Sequence, residues 1–75
     1  MDITVAAGGS EEDWTLTDLL NRSLGAIKRS EGGFTIYPDG PGIDAMAGIQ
    51  TGPYKSLDDA LAAIETRTRG ACRRV

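Results

Sequence analysis

Cys72 is the only thiol in the chain, and Arg69, Arg73 and Arg74 stand within three residues of it. Guanidinium groups that close favour the thiolate, the form that attacks disulfides and reacts with oxidants. No base or orienting partner accompanies it in the sequence to make a catalytic pair. Two roles stay open: an incidental thiol on a solvated tail, or an intermolecular disulfide that joins two copies into a homodimer. The remaining groups with chemical potential are carboxylates. Asp39 and Asp44 could face each other across a turn as acid and base, a task that needs a pocket to shift one pKa. Glu11, Glu12 and Asp13, and then Asp58 and Asp59, each precede an apolar run, where the positive end of a helix dipole accounts for them.

What is missing narrows the chemistry further. The chain has no histidine, the usual general base and the commonest metal ligand. One cysteine cannot build a zinc site, and no glycine-rich stretch carries the lysine and hydroxyl of a phosphate loop. PDGPG, residues 38–42, reads as a tight turn. No cofactor and no metal are expected. With 75 residues there is little room for a pocket, and no enzyme is expected either.

The elements that must position these groups follow from pattern. Asp2 to Ala7 alternates as a short strand, and Gly8-Gly9 breaks it. Ser10 offers a helix cap; Leu16, Leu19, Leu20, Ser23, Leu24 and Ile27 recur at three- and four-residue spacing behind Trp14. That spacing predicts an amphipathic helix over Glu11 to Arg29, stopped by Gly32-Gly33. Phe34 and Ile36 alternate with Thr35 and Tyr37; beyond the turn, Ile43, Ala45, Ala47 and Ile49 alternate again. The pair reads as an antiparallel hairpin ended by Gly52-Pro53. Ser56 caps a second helix with Leu57, Ala60, Leu61 and Ile64 on its buried stripe, running to about Thr66. The expected fold is a small α+β domain of order β-α-β-β-α: a two- or three-stranded antiparallel sheet packed by two helices. Residues 1–66 form the compact domain and residues 67–75 a basic C-terminal tail.

Charge divides along the same line. Residues 1–65 hold eleven acidic groups against four basic ones, a net of −7. The last ten residues add Arg67, Arg69, Arg73 and Arg74, which brings the whole chain to −3. A negative body is drawn to lysine- and arginine-lined clefts, above all those that hold nucleic acid. Four arginines without interleaved aromatics do not make a nucleic-acid reader, so direct binding to nucleic acid is not expected. No apolar run approaches the ~20 residues of a membrane span. The N-terminus lacks the basic and apolar regions of a secretory signal, which, with a lone cysteine, makes a reducing cytosol the expected compartment.

In size, acidity and lack of a catalytic constellation, the chain resembles the small phage-borne anti-CRISPR proteins. That likeness implies an inhibitor, in the cytoplasm of a bacterial host, that occupies the nucleic-acid-accepting surface of a CRISPR effector complex. More locally, Ser56, Leu57, Asp58, Asp59, Ala60 and Leu61 are similar to the helix start that follows the hairpin of HicB-type antitoxins, which implies a toxin partner instead. The sequence therefore leads to a non-enzymatic acidic binding protein that inhibits a partner with a basic surface. A HicB-like antitoxin or a generic small interaction module is the alternative. The contact residues expected are Glu11, Glu12, Asp13, Asp58 and Asp59, with Tyr37 and Tyr54 supplying aromatic contact area.

Overall fold

Alternation, rather than helical spacing, governs the first half of the chain. The structure is a computed structural model that describes residues 2–9 and 12–75. Strands β1 (Ile3–Ala7), β2 (Asp13–Thr17), β3 (Ser23–Ser30) and β4 (Gly33–Pro38) form an antiparallel meander. A short helix α1 (Pro41–Ala45) and a 12-residue helix α2 (Leu57–Thr68) follow. The chain ends on β5 (Cys72–Arg74), which lies parallel to β1, so the sheet is mixed and ordered β4-β3-β2-β1-β5. Beyond β4, Tyr54 exchanges two 2.8 Å backbone hydrogen bonds with Phe34, and Thr51 accepts one from Ile36. The crossover from that edge to β5 is α2.

Register decides which face becomes core. Val5 lies opposite Leu16, Trp14 opposite Ile27, and Ile27 opposite Ile36. These residues, with Ile3 and Leu24, make one face apolar, and Met46, Ala60, Leu61 and Ile64 close over it. The alternate positions, among them Thr4, Ala6, Thr15, Ala26, Lys28, Thr35 and Tyr37, line the opposite face. Among the described residues no helix covers that face.

The expected architecture is corrected accordingly. In place of a two- or three-stranded antiparallel sheet under two helices, the sheet has five strands, is mixed, and carries one long helix and one of five residues. The helix read over Glu11 to Arg29 is the β2–β3 hairpin. Leu16, Leu24 and Ile27 satisfy helical spacing by coincidence. Trp14, Thr15 and Thr17 favour a pleated strand, while Gly25 would cost a helix about 1 kcal/mol and here adopts φ 139°, outside the helical range. Ser10 and Glu11, the expected cap and first turn, lie outside the described residues. The strand read over Ile43 to Ile49 is α1 and a loop. Pro41 enters at the first turn of α1, where its missing N–H costs nothing, and Asp39 Oδ1 accepts the Gly40 N–H ahead of it. The second helix stands where its cap placed it: Ser56 Oγ accepts the Asp59 N–H at 3.1 Å. It continues to Thr68, and the residues after it pair with β1 instead of trailing.

Gly42 joins α1 to the sheet. It is buried against the Leu24 backbone so closely that a Cβ would overlap the Leu24 carbonyl. Gly42→Ala is therefore expected to cost about 1–3 kcal/mol, read as a lower urea midpoint at unchanged slope. Gly9→Ala, with nothing within 4 Å of the added carbon, should leave the midpoint where it is.

Candidate binding surface

Between β2 and β3 the chain reverses around one carboxylate. Asp18 is 7% exposed. Its Oδ1 accepts the backbone N–H groups of Leu20 and Arg22, each at 2.9 Å, and its Oδ2 accepts Arg22 Nε at 2.7 Å. The Asp18 N–H donates to Arg22 O and the Asn21 N–H to Asp18 O. Asn21 takes the left-handed conformation, φ 62°, which asparagine tolerates better than most residues. The Arg22 N–H, the Arg22 guanidinium and the Leu20 N–H together hold the Asp18 carboxyl below its ordinary 3.8, against the opposing pull of burial.

With its polar groups satisfied internally, this turn points two leucines at solvent. Leu19 is 77% and Leu20 74% exposed, although burying a leucine is worth about 1.5–3 kcal/mol. Ile43 on α1, 57% exposed, stands at the same end of the sheet, because α1 packs on the start of β3. The rim of this end is acidic. Asp2 and Arg22 share a shallow recess of about 180 Å³ with the two leucines, and Asp39 and Asp44 are exposed on either side of α1's first turn.

The residues singled out in the sequence are not gathered there. Glu11 lies outside the described residues. Glu12 and Asp13 stand at the opposite end of the sheet, at the start of β2, with Asp13 on the uncovered face. Asp58 and Asp59 share that end but sit on the helical layer, in the first turn of α2. Asp58 is ion-paired with Arg74, which ties β5 to the helix. Tyr37 is exposed on the uncovered face with the Lys28 ammonium 5.6 Å from its ring centre. Tyr54 is half-buried against the core and donates its hydroxyl to Gln50 O. Arg67 donates Nε to Ala47 O at 2.5 Å, Arg69 takes the left-handed position that ends α2, and Arg73 alternates onto the uncovered face. Asp39 and Asp44 flank the start of α1 and do not oppose each other across a hairpin. The sequence reading missed Leu19, Leu20 and Ile43 as exposed residues and Asp18 as the carboxylate that holds their turn. The signal for them was DLLNR, residues 18–22, in which Asp and Asn frame a turn.

Cys72 departs from the expected reactivity. It is half-buried in β5, its N–H donates to Glu65 Oε2 at 2.8 Å, and its Sγ approaches Leu61 O at 3.8 Å. Burial first, and then the Glu65 charge, push the thiol up to about 11. The arginines do not offset this: Arg73 lies on the other face and Arg74 is engaged by Asp58.

No group of His, Cys, Asp or Glu side chains among the described residues is arranged to hold a metal ion, and no helix there is long and apolar enough to cross a membrane. The chain matches no family model, and no curated protein and no solved structure shows significant similarity to it.

Two measurements check this geometry. A carboxyl whose folded pKa is lowered adds stability above its unfolded pKa and loses it as pH falls through the folded value. The stability gap between wild type and Asp18→Asn should therefore be open at neutral pH and close as pH drops below the ordinary 3.8. A gap independent of pH contradicts the turn's dependence on the ionised form. For Cys72, a thiol moved from 9.0 to about 11 leaves about a hundredfold less thiolate at mildly alkaline pH. Iodoacetamide should alkylate the native chain correspondingly more slowly than the urea-unfolded chain; equal rates refute the buried placement.

Proposed function

We propose that the protein is a non-enzymatic binding module that seats an acid-rimmed aliphatic end in a recess of a protein partner. The observation that carries this reading is the exposure of Leu19 and Leu20, 77% and 74%, on a turn too fully hydrogen-bonded to fold them inward. An apolar pair held rigidly outward loses little conformational entropy on docking, which is what an interface anchor needs. Asp2, Asp39 and Asp44 around it complement a recess with lysines or arginines at its edge. Such basic rims are found on surfaces that hold nucleic acid. The narrower form of the proposal is therefore an inhibitor that occupies the nucleic-acid-accepting surface of a partner complex, in the manner of anti-CRISPR proteins. In this form the acidic contact is made by the aliphatic end, and Glu12, Asp13, Asp58 and Asp59 at the far end are left out of it.

A tagged chain expressed in its native cell tests the reading. Leu19→Ser with Leu20→Ser should lower recovery of the captured partner by well over tenfold, since each leucine buried is worth about a factor of ten or more in affinity. Glu12→Lys with Asp59→Lys should lower it far less. Undiminished capture by the leucine double variant, shown folded by its circular dichroism, refutes the proposal. If the purified partner binds nucleic acid equally well with and without the chain, the inhibitor form falls and the binding module remains.

A further inference from the structure

A second surface carries an independent assignment. Between the outer side of α2 and residues 46–54 runs an open groove of about 500 Å³, walled by Ile49 and Tyr54, floored by Ala62 and Ala63, and ended by Arg67 and Arg69. We infer that this groove binds an acidic peptide segment of another protein, with a carboxylate on the two arginines and an aliphatic side chain over the alanines.

Charge is the first reason. The chain carries eleven acidic residues, yet none of them lines the groove. Among the described residues, Asp18 pairs with Arg22 and Asp58 with Arg74, and no ion pair engages Arg67 or Arg69. Arg67 is also held in place. Its Nε donates to Ala47 O at 2.5 Å, which fixes the guanidinium plane and leaves its terminal nitrogens as a fork for a carboxylate. Arg69 projects beside it from the left-handed residue that closes the helix, φ 57° and ψ 35°.

The floor supplies the second reason. Ala62 and Ala63 bring no bulk to the helix surface, so an extended chain can lie close to it. The Tyr54 hydroxyl is occupied by Gln50 O, and the half-buried ring and Ile49 offer an apolar wall. A bare inorganic anion is a poor occupant, because both arginines sit at the C-terminal end of α2, where the helix dipole is negative. An occupant must gain from the apolar floor as well as from the charges, and a peptide with alternating acidic and aliphatic side chains does so.

The test is an amide-resolved NMR titration of the whole chain with a blocked hexapeptide alternating leucine and aspartate. Its arms are the same peptide with lysine for aspartate, and inorganic phosphate at equal concentration. Saturable shifts at Gln50, Tyr54, Ala63 and Thr66 are expected with the aspartate peptide alone, with affinity at least tenfold weaker in Arg69→Glu. Arg69 is exposed, and an unchanged circular dichroism spectrum of Arg69→Glu separates loss of binding from loss of fold. Four results overturn the assignment: no saturable shift at these amides, equal affinity in Arg69→Glu, the same shifts from phosphate alone, or concentration-dependent shifts without peptide, which would mark a second copy as the occupant. Binding retained in the Leu19→Ser, Leu20→Ser variant keeps this result separate from the fate of the aliphatic end.

Discussion

The fold depends on how the chain reverses between Thr17 and Ser23. A slip of one residue in that hairpin would turn Trp14, Leu16 and Ile27 out of the core and bring Thr15, Ala26 and Lys28 in. The register already shifts between Leu16 and Thr17, so the strands alone do not enforce it. Asp18 does, by gathering two backbone N–H groups and a guanidinium onto a nearly buried carboxylate. These hydrogen bonds favour the ionised carboxylate and outweigh the opposing effect of burial. The same bonds explain the exposed leucines. A turn whose backbone is fixed by its own side chain has no freedom left to tuck its tip against the sheet.

A second constraint comes from having a single long helix. One helix of 12 residues covers one face of a five-stranded sheet and leaves the other to small and polar side chains. The connection must also return to the far edge, where β5 pairs with β1 through only three residues. Two side chains hold that short strand beyond its ladder. Arg74 reaches Asp58 at the start of α2, and Glu65 accepts the outward N–H of Cys72. The second contact also blunts an open strand edge that would otherwise be a template for a further chain. Half-burial of Cys72, and the high pKa that follows from it, are consequences of this closure.

These constraints show which parts of the structure were legible in the sequence. The second helix was, because Ser56, Asp58 and Asp59 make a local cap and Leu57, Ala60, Leu61 and Ile64 a clear stripe. So was β4, where Phe34 to Tyr37 alternate after two glycines. The first helix was misread because leucines at three- and four-residue spacing are compatible with two periods at once. Trp14 with β-branched Thr15 and Thr17, the turn residues Asp18 and Asn21, and the glycine at position 25 spoke against it. The β5 strand could not be read locally, since its partner is 69 residues away and its charges look like a solvated tail. Summing charge along the chain placed the candidate contact at acidic clusters. In space, Asp58 is ion-paired with Arg74, Asp13 opens β2, and Asp58 and Asp59 sit on the helical layer.

Net charge and binding surface are thus different properties of this molecule. A net −3 would set the long-range attraction to the proposed basic partner and the rate of encounter. It does not set where the contact forms, because an exposed ion pair is worth about 0–1 kcal/mol, while each leucine that leaves water is worth about 1.5–3. On those magnitudes an interface centred on Leu19 and Leu20 outweighs one assembled from Glu12, Asp13 and Asp59. In the proposed contact, the acids at the aliphatic end, Asp2, Asp39 and Asp44, orient the approach while the leucines hold the bound state.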